Sequence, residues 1–161
     1  MASLSVEIID AVTPPLVATA RTLIIEYAGS LEIDLSFQDF DREIATLPGD
    51  YALPWGCLLL AMREGAPVGC IALRRLEEAI CEMKRMWVTP EFRGVGIGLK
   101  LAGEVIKRAR RIGYRAMRLD TLASMRSALA IYESLGFHHI DAYRYNPEPN
   151  AVYLELDLSA E

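Results

Sequence analysis

The chain has 161 residues, 52% of them hydrophobic and 24% charged, which is enough for one well-cored domain and short for two. No apolar run approaches the ~18 uncharged residues of a membrane span, and Met1 to Glu7 offers neither the basic nor the apolar stretch of a secretory leader; a cytoplasmic protein without a membrane partner is expected. The formal net charge of −5 argues against general affinity for nucleic acid, and Cys57, Cys70 and Cys81, set in apolar segments without metal-type spacing, read as reduced core thiols.

In chain order, Leu4 to Ile9 alternates loosely and predicts a first strand. Thr13-Pro14-Pro15 suits the start of a helix running to Ala28. Phe37, Phe40, Ile44 and Leu47 are spaced for a short second helix, which Pro48-Gly49-Asp50 stops. Cys57 to Met62 and Val68 to Leu73 flank Glu64-Gly65-Ala66-Pro67 and read as a hairpin. A third strand, about Ala79 to Val88, ends at Thr89-Pro90, because proline cannot continue a central ladder.

From Gly98 to Ile112 the residues Leu101, Ala102, Val105, Ala109 and Ile112 make one stripe of an amphipathic helix, with Gly113 as its C-cap. Ala116 to Leu122 reads as a strand. Ser124 is the expected N-cap of a helix carrying Ala128, Leu129, Ile131, Tyr132 and Leu135 on one face and ended by Gly136. Phe137 to Tyr143 and Ala151 to Leu158 close the order as two more strands. Strand, two helices, a three-stranded meander, helix, strand, helix and a strand pair imply an α/β (α+β) domain over residues 1–161, with helices packed on a mixed sheet.

Charge is placed unevenly. Between Arg93 and Arg118 eight Lys or Arg stand against Glu104 alone, so a polyanionic ligand would be met there unless the segment is only a solvated basic face. At its head lies Arg93-Gly94-Val95-Gly96-Ile97-Gly98. Alternate glycines let a backbone approach an anion and adopt positive φ, and the N–H groups of a helix start complete a phosphate cradle. A merely structural turn is the plain alternative. Leu99 and Leu101 stand where a dinucleotide loop needs its third glycine, and no Gly-Lys-hydroxyl triplet is present, so neither NAD nor ATP is favoured.

The stretch Cys81 to Gly98 resembles the acetyl-CoA motif of the GNAT superfamily of N-acetyltransferases: arginine, two free positions, glycine, one free position, glycine. Ala128 to Phe137, with Tyr132 and Leu135-Gly136-Phe137, is similar to the second signature of that superfamily. The resemblance implies a GNAT-like fold, a mixed and mostly antiparallel sheet flanked by helices. It implies acetyl-CoA (coenzyme A) as co-substrate, no metal, and direct acetyl transfer to an amine. Met86, Trp87 and Val88 would offer their backbone to the pantetheine arm and polarise the thioester carbonyl, while Arg93, Gly94, Val95, Gly96, Ile97 and Gly98 would hold the pyrophosphate. Tyr132 would protonate the departing thiolate, and Glu82 would take the amine proton through water.

Two other readings stand beside these: an ordinary half-buried aromatic for Tyr132, and an exposed carboxylate or arginine partner for Glu82. Met125 stands where many members keep an asparagine against the pantetheine, so Ser124 or Ser127 would have to substitute. Lys84, Arg85, Arg74 and Arg75 are candidates to hold an acceptor carboxylate, and Tyr143 to Pro147 to border its pocket. His138 and His139 would point to opposite faces of a strand and form no joint site. The expected acceptor is a small primary amine or amino-acid-like molecule. A protein lysine or N-terminus is the alternative, as is a coenzyme A-binding module without chemistry, and a homodimer is left open.

Overall fold

The computed structural model describes residues 5–31, 34–35 and 39–159. Strand β1 (Glu7–Asp10) leads into helix α1 (Pro14–Ser30), whose Thr13 hydroxyl accepts from the Leu16 N–H at 3.4 Å. After the short α2 (Phe40–Thr46) come β2 (Cys57–Arg63), β3 (Ala66–Glu77) and β4 (Ile80–Val88). Helix α3 (Ile97–Ile112), strand β5 (Ala116–Leu122), helix α4 (Arg126–Ser134), the two-residue β6 (His138–His139) and β7 (Ala151–Asp157) complete the chain.

The strands form one sheet in the order β1-β2-β3-β4-β5-β7-β6. Every neighbouring pair is antiparallel except β4 and β5, the mixed and mostly antiparallel sheet expected. Alternation along β2 divides the core. Cys57, Leu59 and Ala61 pack with Leu101, Val105 and Ala109 of α3, whereas Leu58 and Leu60 pack with Val17, Ala20 and Ile24 of α1. The sheet is thus covered on both faces. The cysteines lie in these clusters, and burial pushes the thiols of Cys57 and Cys70 up to about 12, so they stay protonated and inert. No helix among the described residues is long and apolar enough to cross a membrane.

Several boundaries differ from expectation. Leu4 and Phe37 lie outside the described residues, and α2 starts at Phe40. Helix α1 continues two residues past Ala28. Ser124 is not the cap of α4: Met125 occupies that position with no side-chain cap bond, because a backbone turn from Met125 N–H to the Leu122 carbonyl (2.9 Å) already sets the helix entry. The strand expected from Phe137 to Tyr143 shrinks to His138–His139. Beyond Ile140, whose N–H still reaches the Tyr153 carbonyl at 3.0 Å, the chain leaves the sheet and carries Tyr143 and Arg144 to the buried carboxylate of Glu82.

Candidate active site

Strand β4 carries a bulge at its centre. Lys84 lies opposite Ala72 and Trp87 opposite Cys70, so Arg85 and Met86 face the single residue Ile71. Arg85 takes φ +62, a left-handed conformation that side chains rarely adopt. Its surroundings hold it there: Nε and Nη2 each donate to the Glu43 carboxylate at 2.8 Å, and the guanidinium lies 5.2 Å from the Phe40 ring centroid. The extra residue reverses the side-chain alternation. Cys81 and Met83 face the α3 cluster before the bulge and Met86 and Val88 after it, while Trp87 turns to the α1 side.

The parallel pairing of β4 with β5 stops at Glu82↔Arg118. From Met83 onward the two strands diverge, and β5 goes on pairing with β7 as far as Leu122↔Ala151. A narrow cleft of about 60 Å³ opens between them, lined by Met83 to Met86, Leu119 to Leu122, Tyr27, Met125, Tyr132 and Asn146. A strand edge without a strand partner is a row of backbone donors and acceptors that an extended guest can pair with.

Beyond Val88 the glycine loop turns the chain from β4 into α3. None of Trp87 to Gly98 lines the cleft itself; the loop comes nearest to its wall at Gly98, where a Cβ would stand 3.9 Å from the Met86 side chain. Gly94 and Gly96 have φ +83 and +88, and a Cβ built on either would meet nothing within 4 Å. The glycines therefore serve backbone conformation and an open approach, not close packing within the protein. Gly98 does the reverse: its Cβ would stand 3.0 Å from Ile131 Cδ1, so it lets α3 and α4 close on each other. Gly96 caps α3 with no side-chain bond, leaving the first-turn N–H groups to an outside acceptor. Arg93 folds back on the end of β4, its Nε donating to the Val88 carbonyl at 2.9 Å and its guanidinium 4.6 Å from the Trp87 ring centroid. Val95 is exposed, while the Ile97 side chain is core, so that residue can offer a ligand only its backbone. Trp87 Nε1 and Thr89 Oγ1, beside the loop, are buried without a partner among the described residues.

Tyr132 closes the far wall. It is 6% exposed, its ring packs on Phe137 at 5.7 Å, and burial pushes its phenol well above the ordinary value, so the hydroxyl keeps its proton at neutral pH. Met125, in the place of the expected asparagine, lines the cleft with its sulfur 3.5 Å from Thr121 Oγ1. Ser124 and Ser127 are exposed and are not among the cleft-lining residues. The amide in the cleft is that of Asn146, from the Tyr143 to Pro147 segment expected to border the acceptor pocket, and it donates to Asp120 Oδ2 at 3.2 Å.

Glu82 is 0% exposed and its carboxylate is fully engaged. Arg74 Nε donates to Oε1 at 2.8 Å, the Tyr143 hydroxyl donates to Oε2 at 2.6 Å, and Arg144 Nη2 donates to Oε2 as well. Burial alone would raise its titration, but the charges of Lys84, Arg144 and Arg74 hold it below the usual carboxylate range. This is the arginine-partner reading of Glu82, and not an exposed strand carboxylate. On the same face a second cavity of about 510 Å³ lies under α2, with Arg42, Arg74, Arg144 and Lys84 among its walls and Asp39, Glu43 and Asp50 between them. Arg75 stands elsewhere, stacked 3.9 Å from the Trp55 ring centroid, and Arg85 is committed to Glu43.

The basic segment is less positive than its count suggests. Arg108 is paired with Asp10, Arg118 donates to Glu155 at 2.8 Å, and Lys100 donates to the Val6 carbonyl, away from the loop.

Comparison with known proteins agrees with this geometry. A family model described as "Acetyltransferase (GNAT) family" matches residues 25–137. An uncharacterized N-acetyltransferase of Schizosaccharomyces pombe is 39% identical over 141 residues, covering 86% of each chain. The N-acetylaspartate synthetase of Rattus norvegicus is 35% identical over 127 residues, which cover 76% of this chain and 42% of that protein. Among solved structures, a putative acetyltransferase of Salmonella typhimurium with its cofactor acetyl-CoA has the same fold, with TM-score 0.74, 17% identity, and coverage of 98% of this chain and 95% of that one. With most of its length matched by the family model and by a relative of this similarity, the chain belongs to the GNAT family of acetyltransferases.

Proposed function

We propose that the protein transfers an acetyl group from acetyl-CoA to the amino group of a small, carboxylate-bearing amine. The observation that carries this reading is the meeting of two unlike cavities, a narrow cleft walled by backbone and apolar side chains and a wider one rimmed by cations. The cleft fits acetyl-CoA: a strand edge free for an extended arm, glycine turns at a bare helix start for a pyrophosphate, and two unpartnered buried polar atoms beside them. Bound there, acetyl-CoA supplies the thioester acyl group. The backbone of Met86, Trp87 and Val88 aligns the arm and polarises the carbonyl, and residues 93–98 hold the phosphates. Tyr132 gives its hydroxyl proton to the leaving sulfur, a role suited to a phenol kept protonated by burial. Ser127, exposed on the first turn of α4, is reserved for the outer part of the arm.

The cation-rimmed cavity supports an amine with a carboxylate, and its volume lies in the range of small-molecule sites. A relative named for the synthesis of N-acetylaspartate points the same way. Glu82 enters this reading as a positioning residue that fixes Arg74, Arg144 and Tyr143, and not as the base itself. The test is thiol release from acetyl-CoA over a panel of amines, each paired with its decarboxylated analogue. Preference for the carboxylated member is expected. Equal turnover of both members would overturn the acceptor class, and no turnover of any amine would overturn the transfer.

A further inference from the structure

If the protein acylates an amine, something must first take a proton from the ammonium form, because a protonated amine has no lone pair to attack with. Glu82 is poorly suited, being saturated with donors and absent from the walls of both cavities. Among the described residues Lys84 lines both the cleft and the cation-rimmed cavity. It sits on β4 directly before the bulge, at the point where an acceptor in the wider cavity must come within reach of a thioester in the cleft.

Resting on the transfer reading, we infer that Lys84 is a catalytic residue of this site, its Nζ taking the proton of the acceptor ammonium at the junction of the two cavities. The balance is simple. The ammonium gives one proton to neutral Lys84. The freed lone pair forms the C–N bond, the C–S bond breaks with its electron pair going to sulfur, and the second nitrogen proton reaches the sulfur by way of the Tyr132 hydroxyl. Lys84 then returns its proton to solvent, so one amide, one thiol and one released proton result.

The electrostatics around Lys84 suit the task. Its side chain is in a residue only 9% exposed. Burial, and after it the charge of Arg85, bring its ammonium down to about 7, with Arg144 adding to the effect and Glu82 and Glu43 opposing it. Among the described residues the other titratable groups lining these walls are Arg74 of β3, Asp39 and Arg42 at the start of α2, Asp50 and Tyr51 of the turn after it, Asp120 of β5, Tyr27 of α1 and Tyr132 of α4. An amine near neutrality can both accept a proton from an alkyl ammonium and shed it again.

The first test needs no substrate. In protein carrying 13C-labelled lysine, one Cε signal is expected to titrate near pH 7 and to persist in Lys100→Arg and Lys107→Arg, the remaining lysines of the chain. Three signals all titrating near pH 10 would overturn the proposal. The second test is the pH dependence of kcat/KM. The wild-type profile is expected to rise through pH ~7, and Lys84→Met and Lys84→Arg are expected to lose about 10²–10⁴-fold with acetyl-CoA affinity retained. A Lys84 that merely attracts the acceptor carboxylate would be replaced by the permanently charged arginine, so near wild-type activity of Lys84→Arg would overturn the base role. Wild-type protein that transfers acetyl to no amine would overturn the transfer reading on which this inference rests; a wild-type enzyme that transfers acetyl while Lys84→Met keeps its rate and pH profile would overturn this inference alone.

Discussion

The two cavities beside β4 are built by different means. The cleft toward β5 is a backbone device: a strand edge released by diverging partners, glycines at φ +83 and +88, and a helix start without a side-chain cap. The cavity under α2 is a side-chain device, with charges delivered by α2, β3, β4 and the loop before β7. Backbone recognition tolerates sequence change at most positions and suits a co-substrate that stays the same. Side-chain recognition changes with each residue and suits an acceptor that sets one enzyme apart from another. The bulge at Arg85 joins the two, because it turns Met86 to the cleft while Lys84 and Glu82 remain with the charges.

The sharpest test of the division removes chemistry from the cleft while changing its wall by a single hydroxyl. Tyr132→Phe keeps the ring against Phe137 and deletes only the hydroxyl. A kcat loss of about 10²–10⁴-fold is expected, ~3–5 kcal/mol of transition-state stabilisation, with the melting temperature and acetyl-CoA affinity nearly unchanged. Donors with more acidic leaving thiols should suffer less. A folded variant turning over acetyl-CoA at the wild-type rate would reduce Tyr132 to packing.

On the acceptor side, Glu82→Gln should act first on stability. The amide keeps the shape but takes the buried counter-charge from Arg144 and leaves Arg74 only the exposed Asp50 at 3.8 Å, for a loss of about 1.5–3 kcal/mol at neutral pH. The sign with pH is fixed: the folded carboxylate titrates below its ordinary 4.5, so its stabilisation is present above that value and disappears as pH falls through the folded one. Denaturation midpoints of the two proteins should therefore converge in acid. A gap independent of pH would mean that packing, and not charge, sets the difference.

These two regions were not equally legible in the sequence. The glycine loop could be read because a backbone that bends to positive φ at alternate positions needs glycine there, and the need is local. Tyr132 could be read because it sits a fixed distance before Leu135-Gly136-Phe137 on one helix. Glu82 was found but its surroundings were not: Arg74 arrives across a hairpin, while Tyr143 and Arg144 come from a segment that periodicity assigns to a strand. The position of Lys84 depends on a bulge whose extra residue leaves no compositional mark, since Arg85 is held in its conformation by Glu43 and not by being glycine. Ser124 failed as a cap because a backbone turn had already set the helix entry. Local conformational demands show in sequence; charges gathered from distant segments do not.

A smaller effect is expected in the loop. Gly96→Val places a β-branched side chain at φ +88, with nothing within 4 Å of the new Cβ, so the cost is conformational and not a clash. Either about 1–2 kcal/mol of strain is retained or the loop relaxes and misdirects its N–H groups. Calorimetry should show acetyl-CoA affinity reduced about 10-fold or more, the acceptor KM being little changed. Unchanged affinity in the folded variant would take the phosphates away from this loop.

The smallest effect should come from the rim of the charged cavity, and it tests most directly what that cavity is for. Arg42 lines it with a side chain 79% exposed, bound only loosely to Asp39 at 3.9 Å. An exposed guanidinium is well hydrated, so its contact with an acceptor carboxylate is worth about 0.5–1 kcal/mol, a factor of roughly 2–5. Because that contact would be the same before and during the reaction, Arg42→Ala should raise the acceptor KM by such a factor and leave kcat alone. The fold should notice the change little, since so exposed a side chain buries almost no surface. Added salt should shrink the difference, as screening weakens an exposed pair in the wild-type protein and has nothing to weaken in the variant. The decarboxylated analogue of the same amine supplies the control: its KM should be equal in both proteins. If the analogue suffers the same increase, Arg42 shapes the cavity without meeting a carboxylate, and the charges under α2 serve the fold more than the acceptor.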